Sequence, residues 1–215
     1  LFPMGPFFAA GEALGVPAWV TQRAWVSLLL VLGYWGAHRL ARAVGVASPA
    51  GRVVAGLAYT LSAASLATVA FQSAGQLPYV LAPWVLLPLV TAEPDRSPRR
   101  AAARSALAVF AMGGVNGAAT LAVLPLAGVW LLTREPGRDR RRLAAWWVGG
   151  VVAATAWWAV ALAVSIRYGL RFTALTEQAS ITTSTESATE IWRGTGNWLG
   201  HLETTGGRWL PGAWA

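Results

Sequence analysis

The sequence predicts an all-α bundle of about six membrane-spanning helices, and three observations carry that prediction. Of 215 residues, 55% are hydrophobic and only 12% charged, too few charges to coat a water-facing body of this length. Apolar stretches long enough to cross a bilayer recur along the chain; about 20 residues at 1.5 Å per residue match about 30 Å of hydrocarbon. The 17 basic residues are all arginine, and they sit in short clusters between those stretches. The mean hydropathy of +0.48 agrees. A net charge of +8 would suggest nucleic acid only if the arginines formed a face on a soluble body, and they do not. With no Cys in the chain, a disulfide scaffold and a thiolate metal site are excluded.

The elements follow in order. A first span covers Ala18–Leu40, with Trp19 and Trp35 near its ends as interfacial rings. A second covers Val53–Phe71, uncharged and rich in small residues (Gly56, Ser62, Ala63, Ala64, Ser65), a composition suited to close helix packing. A third, Leu77–Ala92, carries Pro78, Pro83 and Pro88 and should be kinked or start late. The uncharged stretch Ser105–Leu132 is long for one span and short for two. As a single helix it would put the Arg96–Arg104 and Arg134–Arg142 clusters on opposite sides, against the positive-inside rule. A hairpin broken at Gly113-Gly114-Val115-Asn116-Gly117, with its first arm starting near Ala101 and Arg104 snorkelling, reconciles them. Its short arms set the turn below the outer surface, in a protein-lined cavity. A last span covers Ala144–Ile166.

This arrangement predicts a bundle over 1–166 and the start of an extracytoplasmic region over 167–215. Loops 38–52, 93–104 and 133–143 hold twelve arginines, and the other side holds five (Arg23, Arg167, Arg171, Arg193, Arg208). Those three loops are therefore expected in the cytoplasm. The tail has a Ser/Thr/Glu-rich segment, Thr176–Thr189, whose run Ile181–Thr185 reads as a strand or a loop. The glycines of Arg193-Gly194-Thr195-Gly196-Asn197-Trp198 read as loop. The chain opens with Leu1 rather than Met and reads as a piece from inside a longer protein.

Signatures of soluble enzymes are missing. There is no phosphate-binding Gly-x-x-x-x-Gly-Lys, no His-Glu-x-x-His and no Gly-x-Ser-x-Gly. His38 and His201 are too few for a zinc site, and spacing lends little support to a divalent cation on the tail glutamates. No cofactor is identified. The remaining candidates lie on the outer side. Arg23, with Gln22 beside it, offers a charge-assisted fork for a phosphate; the plainer reading is an interfacial anchor. Asn116 suits a sugar hydroxyl and equally suits ordinary turn chemistry. Glu12 reads first as an exposed loop charge and second as an acid/base group. Trp157 and Trp158 lie too deep for an interfacial belt and read as bundle packing, ahead of a lipid groove. Trp192, Trp198, Trp209 and Trp214 suit sugar stacking or packing on the membrane. The inner arginines are explained by topology and anionic headgroups.

Several strings carry a family resemblance. Leu1-Phe2-Pro3-Met4-Gly5-Pro6-Phe7-Phe8 and Gly15-Val16-Pro17-Ala18-Trp19-Val20-Thr21-Gln22-Arg23 resemble the large actinobacterial arabinofuranosyltransferases that add α-(1→3) branches to cell-wall arabinan. So do Leu81-Ala82-Pro83-Trp84-Val85-Leu86-Leu87-Pro88, Met112-Gly113-Gly114-Val115-Asn116 with Ala119-Thr120-Leu121-Ala122, and Arg193-Gly194-Thr195. The resemblance implies a GT-C membrane glycosyltransferase with decaprenyl-phosphoryl arabinofuranose as donor and arabinan as acceptor outside the cytoplasm. It also implies an inverting displacement assisted by an acidic residue in the first extracytoplasmic loop. That loop is expected upstream of Leu1, so no catalytic residue is assigned. On this basis Arg23 and Arg193 are expected at the donor phosphate, and Gln22, Asn116, Asn197 and His201 at sugar hydroxyls. A transporter or flippase for a lipid-linked sugar ranks lower, because the span interiors lack ionisable residues and no repeat is visible. A non-catalytic envelope scaffold is the third reading.

Overall fold

In a computed structural model, described for residues 2–92, 97–115, 117–168, 203–204 and 207–208, the chain forms eight α-helices. They are α1 (Met4–Ala13), α2 (Ala18–Ala43), α3 (Pro49–Thr60), α4 (Ala63–Phe71), α5 (Leu77–Val90), α6 (Pro98–Ala111), α7 (Gly117–Thr133) and α8 (Arg138–Tyr168). A two-residue antiparallel pairing, β1 (Glu203–Thr204) with β2 (Gly207–Arg208), lies further along the chain.

The centre of the bundle is α5. Its sequence is apolar all round, the pattern of a helix with neighbours on every side, and Leu77, Val80, Leu81, Val85 and Leu89 are all buried. Helix α2 runs parallel to it: Trp25 Nε1 donates to Ser73 Oγ at 3.3 Å near one end, and Trp84 Nε1 donates to the Leu32 carbonyl at 3.0 Å further along. Helix α6 runs antiparallel to α5 and parallel to α8. Ser105 Oγ ties all three, donating to the Val85 carbonyl at 2.8 Å and accepting from Trp147 Nε1 at 2.9 Å. Helix α7 again lies along α5, where Arg134 places its two terminal nitrogens on the Leu89 and Ala92 carbonyls at 3.0 and 2.9 Å. The core joins residues of α2, α4, α5, α6, α7 and α8 in one cluster.

The structure differs from the sequence reading in three places, and the first has a clear physical cause. The stretch Val53–Phe71, expected as one span, is two helices. The chain breaks at Leu61–Ser62, where Ser62 turns extended and its Oγ accepts from the Ser65 amide at 3.3 Å as an N-cap. The break is held against α5 by a reciprocal pair, in which Tyr59 and Tyr79 stack with centroids 4.4 Å apart and each hydroxyl donates to the other's carbonyl. Pro83 explains half of that exchange: it lacks the amide that would otherwise bond to the Tyr79 carbonyl. The third expected span, Leu77–Ala92, does start at a proline, with Pro78 in its first turn and Pro83 and Pro88 inside. The second difference is α1, which sequence periodicity did not suggest. The third is that Trp157 is 47% exposed while its ring still meets Phe110 of α6, centroids 6.3 Å apart; Trp158 is half-buried and lies over Gly114 and Gly117.

The stretch expected as a hairpin between Ala101 and Leu132 is two separate helices, α6 ending at Ala111 and α7 starting at Gly117, each packed on α5 rather than on the other. Among the described residues, α8 is the helix long and apolar enough to cross a membrane, while α5 and α7 are apolar but shorter.

Candidate functional site at the far end of the bundle

Helix alternation gives the bundle two chemically unlike ends. One gathers the connections after α2, α5 and α7, which carry arginine. There Arg52 donates from Nε and one terminal nitrogen to the Val46 and Ala47 carbonyls, both at 2.7 Å. Arg140 reaches the Leu132 and Arg134 carbonyls at 3.3 and 3.2 Å. The Arg134 fork and the Arg140 bond to Leu132 fall on carbonyls at the C-terminal ends of α5 and α7, where positive charge complements the helix dipole, whereas Arg52, in the first turn of α3, ties down the connection after α2. A pocket of about 570 Å³ lies at this end, walled by Trp130, Arg134, Arg138 and Arg140 among others.

The opposite, far end gathers the α1–α2 turn, the 72–76 connection and the 112–116 break. Phe2 packs on Phe110 with centroids 5.0 Å apart, and Phe7 packs on Trp25 at 5.2 Å. Trp25 in turn bonds to Ser73. Helix α1 is thereby held on the start of α2. It stops where Gly15 takes φ +67, a left-handed conformation that suits glycine. The Val16 amide then reaches back to the Gly11 carbonyl at 2.9 Å, the closing bond of a Schellman turn. Pro17 follows and starts α2 in a new direction. Between α1 and the first turns of α2 lies a pocket of about 660 Å³, lined by Phe8, Glu12 and Thr21 with Gly5 and Gly15.

The expected site residues divide as follows. Gln22 and Arg23 are exposed on the first turns of α2 and do not line this pocket. The Arg23 guanidinium sits 4.9 Å from the Trp19 ring centroid, a cation–π contact that an interfacial pair would make. Asn116, Arg193, Asn197 and His201 lie outside the described residues, as do the Ile181–Thr185 run and the tail tryptophans. Glu12, expected first as an exposed charge, is exposed and lines this pocket. It belongs to a helix rather than a loop, and the readable signal was the Gly15-Val16-Pro17 break after a Phe/Ala-rich run. Among the described residues, no group of three or more His, Asp or Glu side chains is placed to hold a metal ion.

Comparison with known proteins gives this geometry its context. The family model described as "Alpha-(1->3)-arabinofuranosyltransferase, N-terminal GT-C domain" matches residues 1–215. The chain belongs to this family. Two curated members, both named alpha-(1->3)-arabinofuranosyltransferase, are 44% identical to it. The one from Mycobacterium tuberculosis (strain ATCC 25618 / H37Rv) aligns over 201 residues, 92% of this chain and 14% of that protein. The one from Mycolicibacterium smegmatis (strain ATCC 700084 / mc(2)155) aligns over 199 residues, with the same 92% and 14%. A cryo-EM structure of arabinofuranosyltransferase AftD from Mycobacteria superimposes with a TM-score of 0.78 at 42% identity, covering 93% of this chain and 15% of that one. A mutant of AftD gives 0.73 at 48% identity over 77% of this chain and 13% of that one. The chain thus spans about 14% of the length of the curated members it matches, and its helices are those of the family's N-terminal GT-C domain.

Proposed function

We propose that this chain is part of a membrane arabinofuranosyltransferase, which moves arabinofuranose from decaprenyl-phosphoryl arabinose onto cell-wall arabinan outside the cytoplasm. The observation that carries this reading is the family match along residues 1–215. The gathering of arginine-bearing connections at one end supports a multi-pass arrangement, with 1–166 as about six crossings and 167–215 entering the extracytoplasmic region. Short helices such as α5, 14 residues or about 21 Å long, would cross only with help from their neighbours and from locally thinned lipid. A donor anchored by a polyprenyl tail stays in the bilayer. Its phosphate and sugar must be met at the membrane face, which on this reading is the far end of the bundle. Arg23 and Arg193 are assigned to the donor phosphate, through the bidentate chemistry of guanidinium. Gln22, Asn116, Asn197 and His201 are assigned to sugar hydroxyls.

The test is transfer by the full-length protein reconstituted in lipid, with decaprenyl-phosphoryl arabinofuranose and an arabinofuranose oligosaccharide. A branched product with an α-(1→3) linkage is expected. Arg23→Ala should raise the donor KM about tenfold, the effect of one charge-assisted bond. Absence of transfer by the native protein would refute the reading.

A further inference from the structure

We propose that the pocket between α1 and the start of α2 is a subsite for the neutral sugar chain that accepts the transferred residue, with Glu12 receiving its hydroxyl groups. The inference rests on the transferase reading above and adds which substrate is held where. Its basis is the chemistry of the wall. Among the described residues, the lining holds one carboxylate, Glu12, and no basic side chain. A phosphate would meet a like charge there, and a polyprenyl tail would bury the carboxylate against hydrocarbon. The donor is therefore unwelcome at both of its ends. A polyol suits the same wall. Adjacent hydroxyls donate to the two carboxylate oxygens in charge-assisted bonds, and the apolar C–H face of a sugar ring rests on Phe8.

Two further features point the same way. Thr21 is buried, its hydroxyl donating to the Pro17 carbonyl at 3.4 Å and its side chain lying against Gly11, which fixes α1 on the start of α2 and so holds the wall in place. Gly5 and Gly15 have nothing within 4 Å of where a side chain would stand, so the wall beside Glu12 leaves room for a sugar ring. The pocket of about 660 Å³ also lies at the far end of the bundle. A transferase that extends a polymer needs places for two ligands of unlike charge. Here a wall with a carboxylate and no cation serves the neutral one.

Two measurements on the full-length protein test this. In the transfer assay, Glu12→Gln keeps the shape and removes the charge. It should raise the acceptor KM about tenfold and leave the donor KM within about twofold. Ala9→Trp, which fills the pocket from an exposed lining position, should act in the same direction. Independently, binding of an arabinofuranose oligosaccharide is titrated calorimetrically without donor, where Glu12→Gln should weaken it by the same factor. That arm reads the subsite even if transfer from the polyprenyl donor is not seen. An unchanged acceptor KM and affinity would overturn the proposal. So would an equal rise in donor KM, or a fall confined to kcat, which would put Glu12 in the chemical step instead.

Discussion

Trp84 reaches the Leu32 carbonyl only because position 36 carries no side chain. A Cβ built on Gly36 would stand 2.6 Å from Trp84 Nε1 and 3.2 Å from Pro83 Cβ, and a proline-bearing helix has little freedom to retreat. Gly36→Ala should therefore destabilise the bundle by about 1–3 kcal/mol, seen as a lower Tm of the full-length protein in detergent. Ser105 sets a second single-residue test. Its hydroxyl serves Val85 and Trp147 at once, and it is fully buried. Ser105→Ala leaves the indole N–H of Trp147 without a partner, at a cost of about 1–3 kcal/mol, whereas Ser105→Thr should retain most of the bond. Neither role was legible in the sequence. A serine in an apolar run reads the same whether it packs, caps or bridges, and only the partner helices distinguish these. Asn-Gly between α6 and α7, by contrast, was legible as a break because turn chemistry is local.

At the scale of the element, the informative feature is the pair of tyrosines that joins the α3–α4 break to α5. Pro83 withdraws one amide from the helix, and Tyr59 supplies a hydroxyl to the carbonyl so released. The two should be coupled. Tyr59→Phe alone should cost about 1–3 kcal/mol through the unpaired carbonyl. In a Pro83→Ala background the new amide reaches that carbonyl, and the same substitution should cost measurably less. A double-mutant cycle on Tm checks this, and strict additivity would refute it. The expectation of a single helix over Val53–Phe71 failed for the same reason. Its composition correctly announced close packing, as Gly56 lies against the Tyr34 ring. The interruption, however, depends on carbonyl partners twenty residues away in Tyr79. Hydropathy also started two elements late: Pro49 and Pro98 sit in the first turns of α3 and α6, as fixed φ allows, ahead of the expected starts at Val53 and Ala101.

For the whole molecule, the two ends make a prediction about sidedness. Single cysteines at Ser97 and Gly137 should label from one side of the membrane, and cysteines at Leu14 and Val115 from the other. Reagent that reached Leu14 together with Ser97 would refute the proposed crossing pattern. The arginines at the first end serve two purposes that differ in their measurable consequences. Arg134 is fixed on the end of α5, so Arg134→Gln should lower Tm. Arg99, exposed and stacked 5.3 Å over Trp146, should matter much less to stability while still counting toward orientation. Clusters of arginine are visible in any sequence. Which members cap a helix and which face the headgroups is decided by where α5 and α7 end relative to one another.

What the sequence determined alone is the solvent and the rhythm: few charges, no cysteine, apolar runs punctuated by arginine, and a break at a glycine-rich turn. These are properties of composition and near neighbours, and they hold whatever the helices later touch. The tertiary structure decided the split of α3 from α4, the division of labour among the arginines, and the placing of α1 so that Glu12 faces a pocket. Each depends on a partner distant in sequence, a freed carbonyl or an open wall, and such partners exist only once the helices have packed.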